Sequence, residues 1–250
     1  AGLQLTIPEG EKIQAALAGS GRRLTQLDGI FGEDTRAALR QWQAGRGEPA
    51  TGFLTAPQKE AFLAAFREKG PSRLPIAVRL AEEDLGSDAG PALRRAVKVL
   101  SGQPIRFASI GDKTFIAVLS GSRTWAEAQA DAQAAGGTLA TIASPSENAA
   151  AYALFASDPR FLRTFSDGSR LGPWIGLARE SRPNSSWKWV NGDRAGWRNW
   201  GPGQPFTSGY CANFWNTGQA EPMGDHRVVL WGAQYCYEPS YGYLMQVRGR

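Results

Sequence analysis

The chain has 250 residues, with 28 Lys and Arg against 23 Asp and Glu, a net charge of +5, one His and two Cys. With 42% hydrophobic and 20% charged residues it reads as an ordinary globular chain of one or two domains, and no apolar run approaches the roughly 18 residues that a membrane-spanning helix needs. Residues 1–70 carry 9 basic and 8 acidic side chains and residues 104–250 carry 14 and 11, so nothing gathers the basic face expected of a nucleic-acid binder, and the charge leaves room only for a weak, nonspecific attraction to an acidic polymer.

Ala1 is not followed by the charged and apolar regions of a signal peptide, so the expectation is either a mature terminus or an internal boundary. The spacing of Ile13, Ala16 and Leu17 predicts a helix over 11–17. After the turn Leu27-Asp28-Gly29-Ile30-Phe31-Gly32, Asp34 is placed to cap a helix whose Ala38, Leu39 and Trp42 share one face. A third helix starts near Pro57, with Ala61, Phe62, Ala65 and Phe66 on its apolar side.

The run Ile13-Gln14, Asp28-Gly29-Ile30-Phe31-Gly32, Thr35-Arg36-Ala37-Ala38-Leu39, Trp42-Gln43 and Pro49-Ala50-Thr51-Gly52-Phe53-Leu54 resembles the peptidoglycan-binding domain family. The resemblance implies an all-α three-helix bundle over 1–68 and a bacterial origin. Asp28, Arg36 and Gln43, beside the turns, are the candidates for wall contact. The competing reading is a spacer that keeps the fold and has lost the binding.

Residues 69–103 are broken by Gly70-Pro71, Leu74-Pro75, Gly86 and Gly90-Pro91. Between the breaks apolar residues recur at helical spacing over 77–85 and 92–100, with Ser87 or Asp88 as caps for the second piece and Pro91 in its first turn. This predicts an ordered helical connector that packs on one or both neighbours.

From Pro104 the pattern changes. Thr114-Phe115-Ile116-Ala117-Val118-Leu119 reads as a buried strand, Thr124 and Glu127 as a capping box, and Ser146-Glu147-Asn148 as the start of a second helix. Short strands follow at 174–177, 187–190, 212–215, 228–231 and 243–247, an α+β pattern. Seven of the nine tryptophans lie between 174 and 236. Trp174, Trp187 and Trp189 are expected in the core, and the Gly/Pro cluster at 201–205 in an irregular loop.

The elements Trp125-Ala126-Glu127-Ala128, Gly136-Gly137-Thr138-Leu139-Ala140-Thr141-Ile142, Trp174-Ile175-Gly176-Leu177, Trp187-Lys188-Trp189-Val190-Asn191-Gly192, Gln204-Pro205 and Trp231…Cys236 resemble the C-type lectin-like domain family over about 105–248. The resemblance implies two helices, antiparallel sheets and a long loop within 104–250. It implies a Cys211–Cys236 disulfide, with two buried free thiols as the competing reading. The positions of the family's other disulfide hold Ala132 and Met245, a packing replacement. It implies a cis Gln204-Pro205 bond as well. Sugar-binding members hold calcium with a Glu/Gln-Pro-Asn/Asp loop and a Trp-Asn-Asp tripeptide; here these read Gln204-Pro205-Phe206 and Trp231-Gly232-Ala233. With so few oxygens for an ion that takes about 6–8, no metal and no cofactor is expected, and Glu221 and Asp225 alone make a poor cage.

Aromatics replace the ligands. Phe206, Tyr210, Trp215, Trp231, Tyr235 and Tyr237 crowd this region with Asn213, Asn216 and His226, and about half should be core. Trp197, Gln204, Phe206, Tyr210, Asn213, Trp215, His226 and Trp231 are the candidate ligand-binding residues, Phe206 and Tyr210 the most exposed. The lone His226 excludes a multi-histidine zinc site, and no nucleophile elbow or phosphate loop is present. The expectation is a non-enzymatic, periplasmic or secreted envelope protein with peptidoglycan or another envelope glycan as partner, or a protein ligand. The alternatives are a structural protein in which neither part binds sugar, favoured by a continuous hydrophobic interface through 74–100, and an accessory region of a wall-remodelling enzyme.

Overall fold

The computed structural model describes residues 3–20, 22, 24, 28–69, 76–181, 185–216 and 229–249, and the side chains of all of these but 65–69. The N-terminal part is helical: α1 (Ile7–Gly19), α2 (Glu33–Gly45) and α3 (Ala56–Lys69). Thr6 and Glu9 form a reciprocal capping box at the start of α1, with Pro8 in its first turn. The cap of α2 is Gly32 rather than the expected Asp34, which instead sits with Glu33 in the first turn, where a carboxylate complements the positive end of the helix. Ile13, Leu17, Ala38, Leu39, Leu54 and Phe62 form the core, with Trp42 packed 4.3 Å from Phe62.

Two buried glutamines hold the turns that lead into α2 and α3. Gln14 accepts the Gly29 N–H at 2.8 Å and donates to the Ile30 carbonyl at 3.0 Å. Gln43 does the same one turn later, accepting from Gly52 at 2.9 Å and donating to the Phe53 carbonyl at 2.9 Å. Each amide satisfies one backbone donor and one acceptor that the turn itself leaves open.

The segment from residue 76 onward differs from the expected helix over 77–85. Val78–Arg79 is a strand, β1, paired antiparallel with β2 (Pro104–Ile110) through Val78↔Ile105 and Arg79↔Pro104, and Glu82–Asp84 is a single 3-10 turn. The partner strand decides this: extended backbone lets Val78 bury its side chain while its backbone joins the sheet. The second piece is helical as expected, α4 (Pro91–Val99), with Pro91 in its first turn; its cap is Gly90, not Ser87 or Asp88.

The remaining elements are β3 (Lys113–Arg123), α5 (Trp125–Ala134), β4 (Thr138–Leu139), α6 (Pro145–Ala153), β5 (Arg163–Thr164), β6 (Arg170–Ala178), β7 (Lys188–Trp189), β8 (Cys211–Asn216), β9 (Leu230–Gln234) and β10 (Ser240–Arg248). The sheet runs β1-β2-β3-β10-β6-β8-β9, with β4 added to β10 and β5 and β7 to β6. Its pairings are antiparallel apart from β10 with β6, at Tyr243↔Trp174. Thr124 and Glu127 form the expected capping box on α5, and Ser144 caps α6.

Alternation along β3 feeds a core on each face of the sheet. Ile116 and Val118 join Trp174, Tyr243, Met245 and the α5 alanines Ala128 and Ala132. Phe115 and Ala117 join Phe155, Phe161, Phe214 and Trp231. Ala132 and Met245, which stand where the resemblance places a second disulfide, are both fully buried in the first core. That core also takes in Ile76, Val78, Leu80, Leu93 and Val97, and Ala15 of α1. Ion pairs flank this junction: Glu11, 2% exposed, with Arg79, and Lys12 with Asp84 at 2.5 Å.

Candidate functional site

The long irregular segment 190–210, the β8–β9 ribbon and the 235–239 turn form one region, organised by Trp231. Its indole is fully buried and donates to Asn148 Oδ1 at 2.9 Å. Trp189, Trp197 and Trp200 stand edge-on to it at 5.9, 5.2 and 6.0 Å, the arrangement that aromatic quadrupoles favour. The segment passes β9 so closely that Trp231 N–H donates to Asn199 O at 2.8 Å and Gly201 N–H to Trp231 O at 2.9 Å.

Two polar clamps hold the loop that follows. Gln204 Oε1 accepts the Ala233 N–H at 2.9 Å and the Phe206 N–H at 3.4 Å, beside a cis Gln204-Pro205 bond. Arg179, at the end of the β6 segment, donates to the carbonyls of Gly209 at 2.9 Å, Phe206 at 3.2 Å and Thr207. Its guanidinium lies 5.3 Å from both the Trp187 and the Tyr210 ring centroids. The Cys211–Cys236 disulfide, its Cα atoms 5.2 Å apart, joins β8 to the 235–239 turn, so the competing reading of two free thiols is set aside.

Burial sorts the candidate residues. Trp231 and Asn213 are fully buried; they support the surface and do not contribute to it. Trp197, Gln204, Phe206, Tyr210 and Trp215 are half-buried. Phe206 and Tyr210 are therefore not the most exposed aromatics, as the sequence suggested. That place belongs to Tyr237, 69% exposed, and Tyr235, 37% exposed, whose rings stack 5.3 Å apart at 14°. Phe206 meets Tyr235 edge-on at 6.1 Å, so the three rings form one array. Tyr235 and Tyr237 flank Cys236 in a turn closed by the Glu238 N–H donating to the Tyr235 carbonyl at 3.0 Å, so no strand periodicity marked them as exposed. Trp187, expected in the core, is half-buried under Arg179. His226, Glu221 and Asp225 lie outside the described residues.

Trp215 is wedged between two glycines. A Cβ at Gly201 or at Gly232 would stand 2.8 Å from its side chain, so neither position can carry the oxygen-bearing side chain that a metal site there would use. Within 204–206 and 231–233 the one side-chain oxygen is Gln204 Oε1, and two N–H groups already hold it. These residues do not fit a calcium ion. Among the described residues no group of three or more His, Cys, Asp or Glu is gathered as a metal cage.

In the helical part, Arg36 lies 4.3 Å over the Phe53 ring and with Gly29, Phe31 and Leu54 lines a hollow of about 290 Å³. Asp28 is exposed, and its carboxylate accepts the Ile30 N–H at 2.9 Å. Gln43 is 1% exposed and fully used in holding the Gly52 turn, so it is no surface contact. Ile30 and Phe53, 65% and 55% exposed, are exposed side chains that the sequence did not single out.

Comparison with known proteins agrees with this architecture. Residues 121–241 match the family model "Lectin C-type domain" and residues 8–61 the model "Putative peptidoglycan binding domain". No curated protein sequence matches the chain. Among solved structures the chain is similar to human lithostathine, with 20% identity, 57% of this chain and 88% of that one covered and a TM-score of 0.44. It is similar to the cow CD23 C-type carbohydrate-recognition domain, solved in the presence of a GlcNAc2Man3 oligosaccharide, with 18% identity, coverage of 58% and 94% and a TM-score of 0.42. The herring type II antifreeze protein gives 17% identity, coverage of 58% and 97% and a TM-score of 0.43. The chain thus joins an N-terminal helical region of peptidoglycan-binding type to a C-type lectin-like α+β domain with an antiparallel sheet, and both are binding modules rather than enzyme families.

Proposed function

We propose that this chain is a non-enzymatic bacterial envelope protein, periplasmic or secreted, in which a helical module over about 1–68 anchors to peptidoglycan. The lectin-like part over about 104–250 then recognises an envelope glycan without calcium, the 69–103 segment joining the two. The observation that carries this reading is the array of half-buried Phe206 with exposed Tyr235 and Tyr237, beside a loop that Gln204 and Arg179 hold. Flat aromatic faces take the C–H faces of pyranose rings, and their stacking on one another fixes them before a ligand arrives. Within 204–206 and 231–233 the one side-chain oxygen, Gln204 Oε1, is committed to backbone N–H groups, and Arg179 does by three hydrogen bonds what a bound cation would otherwise do for the loop. The match of 8–61 to a peptidoglycan-binding model and the disulfide both accord with an extracytoplasmic setting.

Co-sedimentation with purified sacculi tests the proposal. The full chain should pellet equally with and without EDTA, and Tyr235→Ala combined with Tyr237→Ala should reduce the bound fraction while leaving the melting temperature in place. Pelleting that needs calcium, or that ignores the tyrosines, would contradict the lectin-like half of the proposal. A second reading has one observation in its favour: the apolar core that runs from Ala15 through Ile76, Val78 and Leu80 into the sheet suits a rigid unit presenting a protein-binding surface. Absence of pelleting by the full chain would favour that reading.

A further inference from the structure

Outside the long-loop region, a cleft of about 720 Å³ opens between the 136–138 turn, the 191–193 turn and the end of β10. Its volume lies within the roughly 300–1,000 Å³ of small-molecule sites. We propose that this cleft is a second ligand site and that it takes a carboxylate-bearing saccharide.

Thr141 fixes the orientation of two primary amides. Thr141 is fully buried. Its N–H donates to Gln246 Oε1 at 2.8 Å and its hydroxyl to Asn191 Oδ1 at 2.9 Å, an oxygen that also accepts the Asp193 N–H at 3.1 Å. A backbone N–H requires an acceptor, so neither amide can be turned over. Both oxygens therefore face Thr141 and both NH2 groups face away from it, along the wall of the cleft. Gln246 is only 3% exposed, yet its NH2 group meets no acceptor among the described residues. Solvent reaches that nitrogen, so the donor stands open to a ligand in the cleft that Gln246 lines.

The charges around these amides select the ligand. Arg248 stands at the rim, its Nη2 3.0 Å from Asp193 Oδ2. Arg95 lies across Gly136, its Nε 3.1 Å from where a Cβ would be. Asp193 and Arg248, the one acid and the one base lining the cleft, pair with each other, which leaves the two amide NH2 groups, with the exposed Arg95 beside Gly136, as an excess of donors. A carboxylate, with two oxygens and about four acceptor positions, complements such a set. The saccharide part follows from the neighbouring hollow of about 340 Å³, which shares Gly192 and Asp193 and is walled by Trp187 and Trp189. A sugar acid can place its carboxylate on the amides and its ring against the aromatic wall.

The ¹⁵N-labelled chain, titrated separately with glucuronate, methyl glucoside and acetate, provides the test. Glucuronate is expected to shift the amides of 136–138, 191–193 and 246–248 at a concentration at least about tenfold lower than either of the others. Asn191→Asp and Gln246→Glu each retain an oxygen for the Thr141 donors and replace the outward NH2 by an oxygen. Each should weaken glucuronate at least about tenfold through like-charge repulsion with the melting temperature retained. Should Gln246→Glu fail to fold, Asn191→Asp alone decides. Equal shifts by methyl glucoside would overturn the carboxylate assignment, equal shifts by acetate the saccharide assignment, and an unchanged Asn191→Asp variant the site itself. Shifts confined to 204–210 and 235–237 would assign glucuronate to the long-loop surface instead, so the fate of this site is separable from that of the long-loop reading.

Discussion

Replacing Arg179 by Met tests whether protein groups alone hold the long loop. The side chain is half-buried and donates to three carbonyls within 206–209 while covering Trp187 and Tyr210. Hydrogen bonds from a charged donor contribute about 1.5–3 kcal/mol each when buried, but here water can replace the donor at each carbonyl. Taking well under 1 kcal/mol per bond and about 0.5 kcal/mol for each of two exposed cation–π contacts gives a loss of roughly 2–3 kcal/mol. Met keeps the stem that packs on Trp187, so the loss falls on the loop rather than on the sheet. Hydrogen exchange reads this directly: the amides of 204–210 should exchange roughly 30- to 150-fold faster in the variant, while those of β3 and β10 should not change. Unaltered exchange at 204–210, or a large protection gained there on adding calcium to the wild type, would refute the reasoning.

Other consequences are more local. Reducing the Cys211–Cys236 bond reopens a loop of 25 residues and should lower stability in urea titration by about 3 kcal/mol on the loop-entropy account. Gln43→Leu strands the Gly52 N–H and the Phe53 carbonyl, each bonded at 2.9 Å, and should destabilise the helical region by about 2–3 kcal/mol, measured by circular dichroism on urea unfolding. The Glu127 carboxyl is held below its ordinary 4.5 by the Thr124 N–H and hydroxyl. A depressed folded value means that this contribution is complete above about pH 4.5 and is lost as the pH falls through the lower value; the stability difference between wild type and Glu127→Gln should shrink in that window, followed by thermal denaturation.

How much of this could be read in the residues differs from element to element. The Thr124–Glu127 capping box, the α5 and α6 starts and the buried strand β3 are local, and local pattern reveals them, whereas the Thr6–Glu9 box lies ahead of the apolar spacing that marked α1. The 77–85 segment is not local: Ala77, Ala81 and Leu85 fall at helical spacing, and only the pairing of Val78 with Ile105 makes its start extended. The turn-holding glutamines escaped notice because Gln14 lies 15 residues before its glycine and Gln43 only 9 before its own, so no common spacing marks them. In the candidate site, residue type marked a region but not which of its side chains are exposed. A tryptophan that organises a core and one that faces a ligand have the same name, and it is sheet position that buries Trp231 and Asn213 while leaving Tyr237 outside. Thr141, an ordinary strand-flanking residue by sequence, acquires its role only where β10 and the 191–193 turn converge on it.

The central claim is that an envelope glycan binds the aromatic loop without metal. Backbone chemical-shift mapping of the full chain with solubilised peptidoglycan fragments in EDTA tests it most directly. The account predicts saturable shifts at 204–210 and 235–237, together with shifts at 28–36 and 52–54 from the helical module. Shifts that appear only when calcium replaces EDTA, or a complete absence of shifts at 204–210 and 235–237, would contradict it.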